Sequence, residues 1–362
     1  MLILLLLILT SNCKKDAPSD IIPYTYKLPE QINDGWEVAS LSEVGMDVSK
    51  IERIAENILN DQYKGIHSML IVKDGVLVFE EYFNNHKRDE LQTIYSITKS
   101  VTSSLIGIAI AEGYITGVED SVLKYFPQYH IPDLEKQNLQ INHILTLTAG
   151  IEWDEKSHPY TDPRNSEYQM VQTDDWMEFV LQQPLAFSPG EMFNYNTGAV
   201  HLLSAVIKQS TNQFADEFAG QFLFEPLGIT EYEWNTDNLG YPCTGATFQG
   251  LKMKARDVAK YGFLHLNQGK WKGKQLIPEV WVEESTQSHI DVDDDRGFGY
   301  LWWTGSHTMD KKEIPHFFAA GYGGQTIHIA PELDLMIVIT SWDNAQDADI
   351  FLPMIMIYSA IQ

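Results

Sequence analysis

Strand-like segments stand near both ends of this chain, with a long helical stretch between them, and that distribution limits the folds open to it. Near the start, Met69-Leu70-Ile71-Val72 and Val76-Leu77-Val78-Phe79 flank Lys73-Asp74-Gly75. Asp-Gly between two β-rich runs signals a tight hairpin, because both turn residues tolerate positive φ. Towards the end, Phe298 to Trp303, His316 to Ala319, Thr326 to Ala330 and Leu335 to Thr340 read as strands, followed by a helix over about Ala348 to Ser359. Between these, from about Thr116 to Ser288, apolar residues recur at helical spacing in pieces broken by Pro and Gly. The clearest are Ala199 to Gln209 and the segment opening at Arg256. The pattern predicts an α+β fold: an antiparallel sheet flanked by helices, built from N- and C-terminal segments, with a mainly helical lobe inserted over about residues 116–288. A cleft between the two parts is the natural place for a site.

Ahead of the first strand, Ile51, Ile54, Ala55 and Ile58 mark a surface-packed helix within residues 44–59. After the hairpin and a polar loop over 84–90 the period changes again. Ile97, Val101, Leu105 and Ile108 form one stripe of a helix that begins near Ser96 and is ended by Gly113. Ser96 and Lys99 share a face of that helix, one turn apart. If the turn is buried, desolvation lowers the lysine pKa, and a neutral amine can take the serine's proton. Ser11 with Lys14 and Ser121 with Lys124 have the same spacing, so the setting after the hairpin is what singles out Ser96. Taken with Lys99 alone, Ser96 fits a helix N-cap as well.

At 362 residues the chain can bury a large core, as one large domain or two interleaved lobes. Its net charge of −25 argues against nucleic acid as a partner, since phosphate binding needs a basic surface. Residues 1–9 are almost all Leu and Ile. That run is too short to span a bilayer but suits the apolar region of an export signal. Leu9-Thr10-Ser11-Asn12-Cys13 resembles a bacterial lipoprotein cleavage box. The expectation is a signal peptide over 1–12, lipidation at Cys13, a proline-bearing tether over 13–38 and a catalytic domain over 39–362. It places the protein in the bacterial envelope, periplasmic or at the cell surface, held to a membrane by the lipid. With Cys13 acylated, Cys243 is the one thiol left and no intramolecular disulfide can form. The 11 histidines show no metal-binding pattern.

Tyr95-Ser96-Ile97-Thr98-Lys99-Ser100 follows the hairpin, and Ile144-Leu145-Thr146-Leu147-Thr148-Ala149-Gly150 comes next. Then follow Pro189-Gly190-Glu191-Met192-Phe193-Asn194-Tyr195-Asn196-Thr197-Gly198 and Gly321-Tyr322-Gly323-Gly324-Gln325, in that order. Taken together these motifs resemble the serine β-lactamase-like hydrolases of the class C and penicillin-binding type, in particular their esterase and amide-hydrolase branch. The resemblance implies Ser96 as the acylated nucleophile, Lys99 as acceptor or relay of its proton, and Tyr195 as a second base serving the leaving group. A tyrosine fills that role as a phenolate only beside positive charge, here expected from Lys99. Whether Lys99 or Tyr195 is the general base stays open at the level of sequence. The oxyanion hole falls to the backbone N–H groups of Ser96 and Tyr322.

Two positions depart from the family pattern. Thr197 stands where relatives carry an asparagine after the tyrosine, and Ala319-Ala320-Gly321 stands where they carry Lys-Thr-Gly or His-x-Gly. Thr197, Ala319 and Gly321 are therefore the expected substrate-binding positions, without a cation on the strand, unless His316 supplies one. That favours small ester or amide substrates over β-lactams, with no metal or organic cofactor implied. A β-lactamase or D-alanyl-D-alanine carboxypeptidase, and a low-turnover sensor or binding lipoprotein, are the alternatives.

Overall fold

A computed structural model describes residues 21–245, 250–342 and 351–362. The expected signal peptide at 1–12 and Cys13 lie outside the described residues. The Asp-Gly turn behaves as its composition demands: Asp74 and Gly75 have φ of 52° and 79°. They join β1 (Ile66–Lys73) to β2 (Val76–Tyr82) in antiparallel register. The other strands of the main sheet all come from the last quarter of the chain. They are β3 (Ile290–Asp291), β4 (Arg296–Phe298), β5 (Trp303–Met309), β6 (Lys312–Gly321), β7 (Gln325–Ala330) and β8 (Leu335–Ser341). The spatial order is β2-β1-β8-β7-β6-β5-β4-β3. The first hairpin thus closes against the last strand, with Met69 opposite Ile339 and Ile71 opposite Ile337. The segment from Phe298 to Trp303, read as one strand, is two: the chain turns at Leu301, whose φ is 63°.

Strand alternation separates two cores. On one face Met69, Ile71, Leu335, Ile337 and Ile339 pack with Ile51, Ile54 and Ile58 of α1 (Val48–Leu59). On the other, Leu70, Val72, Ile327, Ile329, Met336 and Val338 pack with the helices that carry the rest of the fold. Central among these is α2 (Ile97–Ala111), whose residues from Ile97 to Ala109 are all buried. The single stripe expected from its sequence is only part of its contact surface. Helix α3 (Thr197–Thr211), β6, β7 and the helix Glu279–Thr286 all pack against α2. Such a helix is apolar or hydrogen-bonded over most of its circumference, Ser103 Oγ being a buried exception.

Two stretches differ from expectation. The described part of the presumed tether runs against the domain. Tyr24 donates to Glu81 at 2.8 Å, Tyr26 donates to Val78 O at 2.9 Å, and Trp36 is 2% exposed. The prolines drew attention to flexibility, while the three aromatic rings, which need burial, hold the segment down. Helix α4 (Ala255–Leu266), inside the stretch read as the helical lobe, lies on the sheet: a Cβ on Gly262 would come within 2.6 Å of Ile327 and 2.7 Å of Met336.

Gly107 shows how tightly α2 is held, since a Cβ there would meet the Trp281 ring at 2.3 Å. Alanine gains about 1 kcal/mol over glycine in a helix interior, but overpacking of this kind costs about 1–3 kcal/mol. Gly107→Ala is expected to lower the melting temperature in thermal denaturation; a raised value would show that Trp281 moves freely.

Candidate active site

The chain enters α2 through a strained turn. Gln92–Thr93 pairs with Leu251–Met253 in a small separate sheet, and Ile94 N–H donates to Leu251 O at 3.0 Å. Tyr95 then takes a φ of 47°, a left-handed conformation that costs a non-glycine residue of order 1–3 kcal/mol. Neighbouring backbone over-determines the turn. A Cβ on Gly245 would fall 2.9 Å from Tyr95 O, and one on Gly321 only 2.4 Å from Ile94 O. Both positions require glycine because two chain segments press directly on the residues before Ser96.

Ser96 occupies the N-cap position, but its side chain makes no capping hydrogen bond. Its Oγ instead accepts from Lys99 Nζ at 2.9 Å. The N-cap interpretation of Ser96 therefore fails on the direction of its hydroxyl. Lys99 is 3% exposed. Burial pushes its amine below the ordinary lysine value, and the Glu155 and Glu167 carboxylates pull it only partly back. The Tyr195 phenol is hydrogen-bonded to the Ser96 side chain as well, and burial raises it to about 12. So Ser96, Lys99 and Tyr195, far apart in sequence, meet at one hydroxyl. The phenol stays protonated at neutral pH, while the amine is the group moved towards neutrality.

The cation facing Tyr195 differs from expectation. Lys156 Nζ stands 4.1 Å from the Tyr195 ring centroid, against 5.3 Å for Lys99. Lys156 is also the strongest influence lowering the phenol pKa, opposing burial. Glu155, beside it in sequence, is 2% exposed and accepts from Trp153 Nε1 at 2.5 Å, Thr197 N at 2.8 Å and Thr197 Oγ1 at 2.9 Å. Sequence reading missed both residues. The signal available was Glu155 itself, a charged residue beside an apolar Ile151 and Trp153, with no cation at salt-bridge spacing on a helix.

Of the expected substrate-binding positions, Thr197 is 1% exposed with its hydroxyl committed to Glu155, so it faces a carboxylate rather than the cleft. Ala319 and Gly321 share one face of β6, the one turned to Ile94 and α2. His316 lies on the opposite face with Phe318 and Ala320, near His328. Burial lowers its imidazole to about 4, so it supplies no charge to Ser96. Tyr322 follows Gly321, and its ring meets Tyr95 and Tyr160 edge-on at 6.0 and 5.6 Å. Trp303 stacks on Tyr195 at 6.5 Å, whereas Trp302 is buried in the core. Aromatic rings thus wall the site on several sides.

The sequence matches the protein family described as Beta-lactamase over residues 53–350. The chain belongs to that family. It is 27% identical over 304 residues to an uncharacterized protein of Alkalihalophilus pseudofirmus, covering 75% of this chain and 82% of that one. It is 22% identical over 329 residues to the 6-aminohexanoate-dimer hydrolase of Paenarthrobacter ureafaciens, covering 85% and 79%. Among solved structures, EstCE1, a hydrolase with promiscuous acyltransferase activity, superposes with a TM-score of 0.69 at 16% identity, covering 86% of this chain and 97% of that one. This beta-lactamase-family chain is accordingly a serine hydrolase in fold and family, as its motifs implied.

A dry lysine is a stability cost. Lys99→Met removes the need to strip a proton from the unfolded chain's ammonium, so the variant is expected to melt higher than wild type at neutral pH. The folded-state pKa is depressed, so the unfolded chain binds more protons over the interval up to the ordinary lysine value, and wild type gains stability as pH rises through it. The variant's advantage should therefore shrink towards pH ~10. Calorimetry across that range checks it; an advantage that grows with pH would contradict a neutral buried amine.

Proposed function

We propose that this beta-lactamase-family chain hydrolyses small esters or amides through an acyl-enzyme on Ser96. The observation that carries the reading is the single hydroxyl contacted by a desolvated amine and a protonated phenol. Lys99, neutral, takes the Ser96 proton as Oγ attacks the substrate carbonyl. The oxyanion is received by the backbone N–H groups of Ser96 and Tyr322, a type of contact worth about 3–4 kcal/mol in comparable hydrolases. As the tetrahedral adduct collapses, Tyr195 delivers a proton to the leaving oxygen or nitrogen and recovers one from the Lys99 ammonium. Water then attacks the acyl-enzyme; its proton passes to the same groups, and Ser96 is released with the acid.

The strand Ala319-Ala320-Gly321 carries no cation, Thr197 is engaged by Glu155 and His316 faces away. These features support esters and amides ahead of β-lactams, which bring a carboxylate that needs a partner. The similarity to the 6-aminohexanoate-dimer hydrolase agrees with an amide substrate. A fluorophosphonate probe should label wild type, and Ser96→Ala should lose labelling along with p-nitrophenyl butyrate hydrolysis; equal labelling of the two proteins would remove the nucleophile. A chromogenic cephalosporin should be turned over far more slowly than the ester. On the acid side kcat/KM should fall as pH drops through the depressed Lys99 pKa, because protonation removes the base. The same proposal includes export and acylation at Cys13: cells fed a labelled fatty acid should label wild type and not Cys13→Ser, and labelling of both excludes that anchor.

A further inference from the structure

Tyr195 needs a nearby cation to be a competent proton donor in a pocket that also holds buried Glu155 and Glu167. Lys99 becomes an ammonium only on taking the Ser96 proton and gives that charge up again as it reprotonates Tyr195, so a cation that persists through proton delivery must come from another residue. Lys156 is that residue. Its ammonium lies 4.1 Å from the Tyr195 ring centroid, within the range of a cation–π contact.

The loop that carries it is fastened on both sides of Lys156. Asp154 Oδ1 accepts from the backbone N–H groups of Lys156 and Ser157 at 3.2 and 2.9 Å. Ser166 Oγ accepts from Asp154 N–H, and Ser166 N–H donates to Asp154 O, both at 2.9 Å. Glu155 is drawn inward to Trp153 and Thr197. With the residue before it buried and the turn around it closed, Lys156, itself exposed, brings its ammonium against the Tyr195 ring.

We infer that Lys156 is a positioning residue for the reaction: its ammonium, held against the Tyr195 ring, supports proton delivery to the leaving group while Lys99 gives up its own charge. The inference rests on the Ser96 hydrolase reading and concerns the proton-delivery half of it. Leaving groups separate this role from a structural one. A p-nitrophenolate departs with little help from an acid, a phenolate needs more, and an alkoxide needs a proton.

The experiment compares kcat/KM of wild type, Lys156→Gln and Lys156→Arg on p-nitrophenyl, phenyl and ethyl butyrate, all neutral and sharing one acyl group. Lys156→Gln should lose activity in that order, least on the p-nitrophenyl ester and about 5-fold or more on the ethyl ester. Lys156→Arg should restore most of it. The same loss on all three esters, or none, overturns the assignment, because a folding or binding defect does not depend on the leaving group. Failure of the parent reading looks different: Ser96→Ala would then hydrolyse the esters as wild type does.

Discussion

The 2.9 Å hydrogen bond between Lys99 and Ser96 depends on water being kept out of the first turn of α2, and most of the fold serves that exclusion. An exposed lysine would be an ammonium with no capacity to accept a proton. Burial on every side of α2, by α3, by β6 and β7 and by the helix bearing Trp281, moves the amine the other way. The sheet that provides β6 and β7 is itself closed only when β1 pairs with β8, so residues near both ends of the chain are needed before Lys99 is dry. Desolvation alone would leave the amine a weak base, since the ammonium it becomes on taking the Ser96 proton would be buried without a counter-charge. Glu155 and Glu167 oppose it from within the same pocket, so the amine is lowered by burial while its charged form keeps two counter-charges nearby.

Glu155 joins the electrostatics of the site to its architecture. Its two oxygens accept from Trp153 and from the first residue of α3, which places a negative charge at the positive end of that helix. Such a carboxylate is stabilised without a formal cation, so its field reaches Lys99 and Tyr195 little compensated. This also accounts for threonine at position 197. An asparagine directed towards Ser96 would leave one Glu155 oxygen short of a donor. In this chain the position serves Glu155.

Much of the fold was legible because its strongest signals are local. The Asp74-Gly75 turn, the period change at Ser96 and the apolar strands near the C-terminus each follow from a few adjacent residues, and the family motifs Ser96-x-x-Lys99 and Tyr195 come together as implied. What was not legible depends on contacts between distant segments. A stripe of four apolar residues cannot announce that α2 is buried all round, because Ser100, Ser103 and Ser104 look like a polar face; Ser100 and Ser104 are instead satisfied by Leu301 O and by Ser100 O. Trp36, Tyr24 and Tyr26 read as incidental rings among prolines until the sheet they cover is in place. Glu155 and Lys156 look like ordinary loop charges, and only the return of the chain at Tyr195, some forty residues on, gives each its role.

The strained turn at Tyr95 explains why these contacts must all be made together. A left-handed tyrosine is unfavourable by itself, and it persists because Gly321 of the sheet and Gly245 of the helical part approach the residues around it from separate segments. The position of Ser96 at the head of α2 is therefore tied to both approaches. The glycine after Ala319-Ala320 is thus constrained by packing on Ile94 as much as by any oxyanion. A lost cation at 319 alters what the strand can bind, whereas a side chain at 321 would alter where the nucleophile is. The family motif on β6 therefore combines two separable demands, and this chain has given up the first while keeping the second.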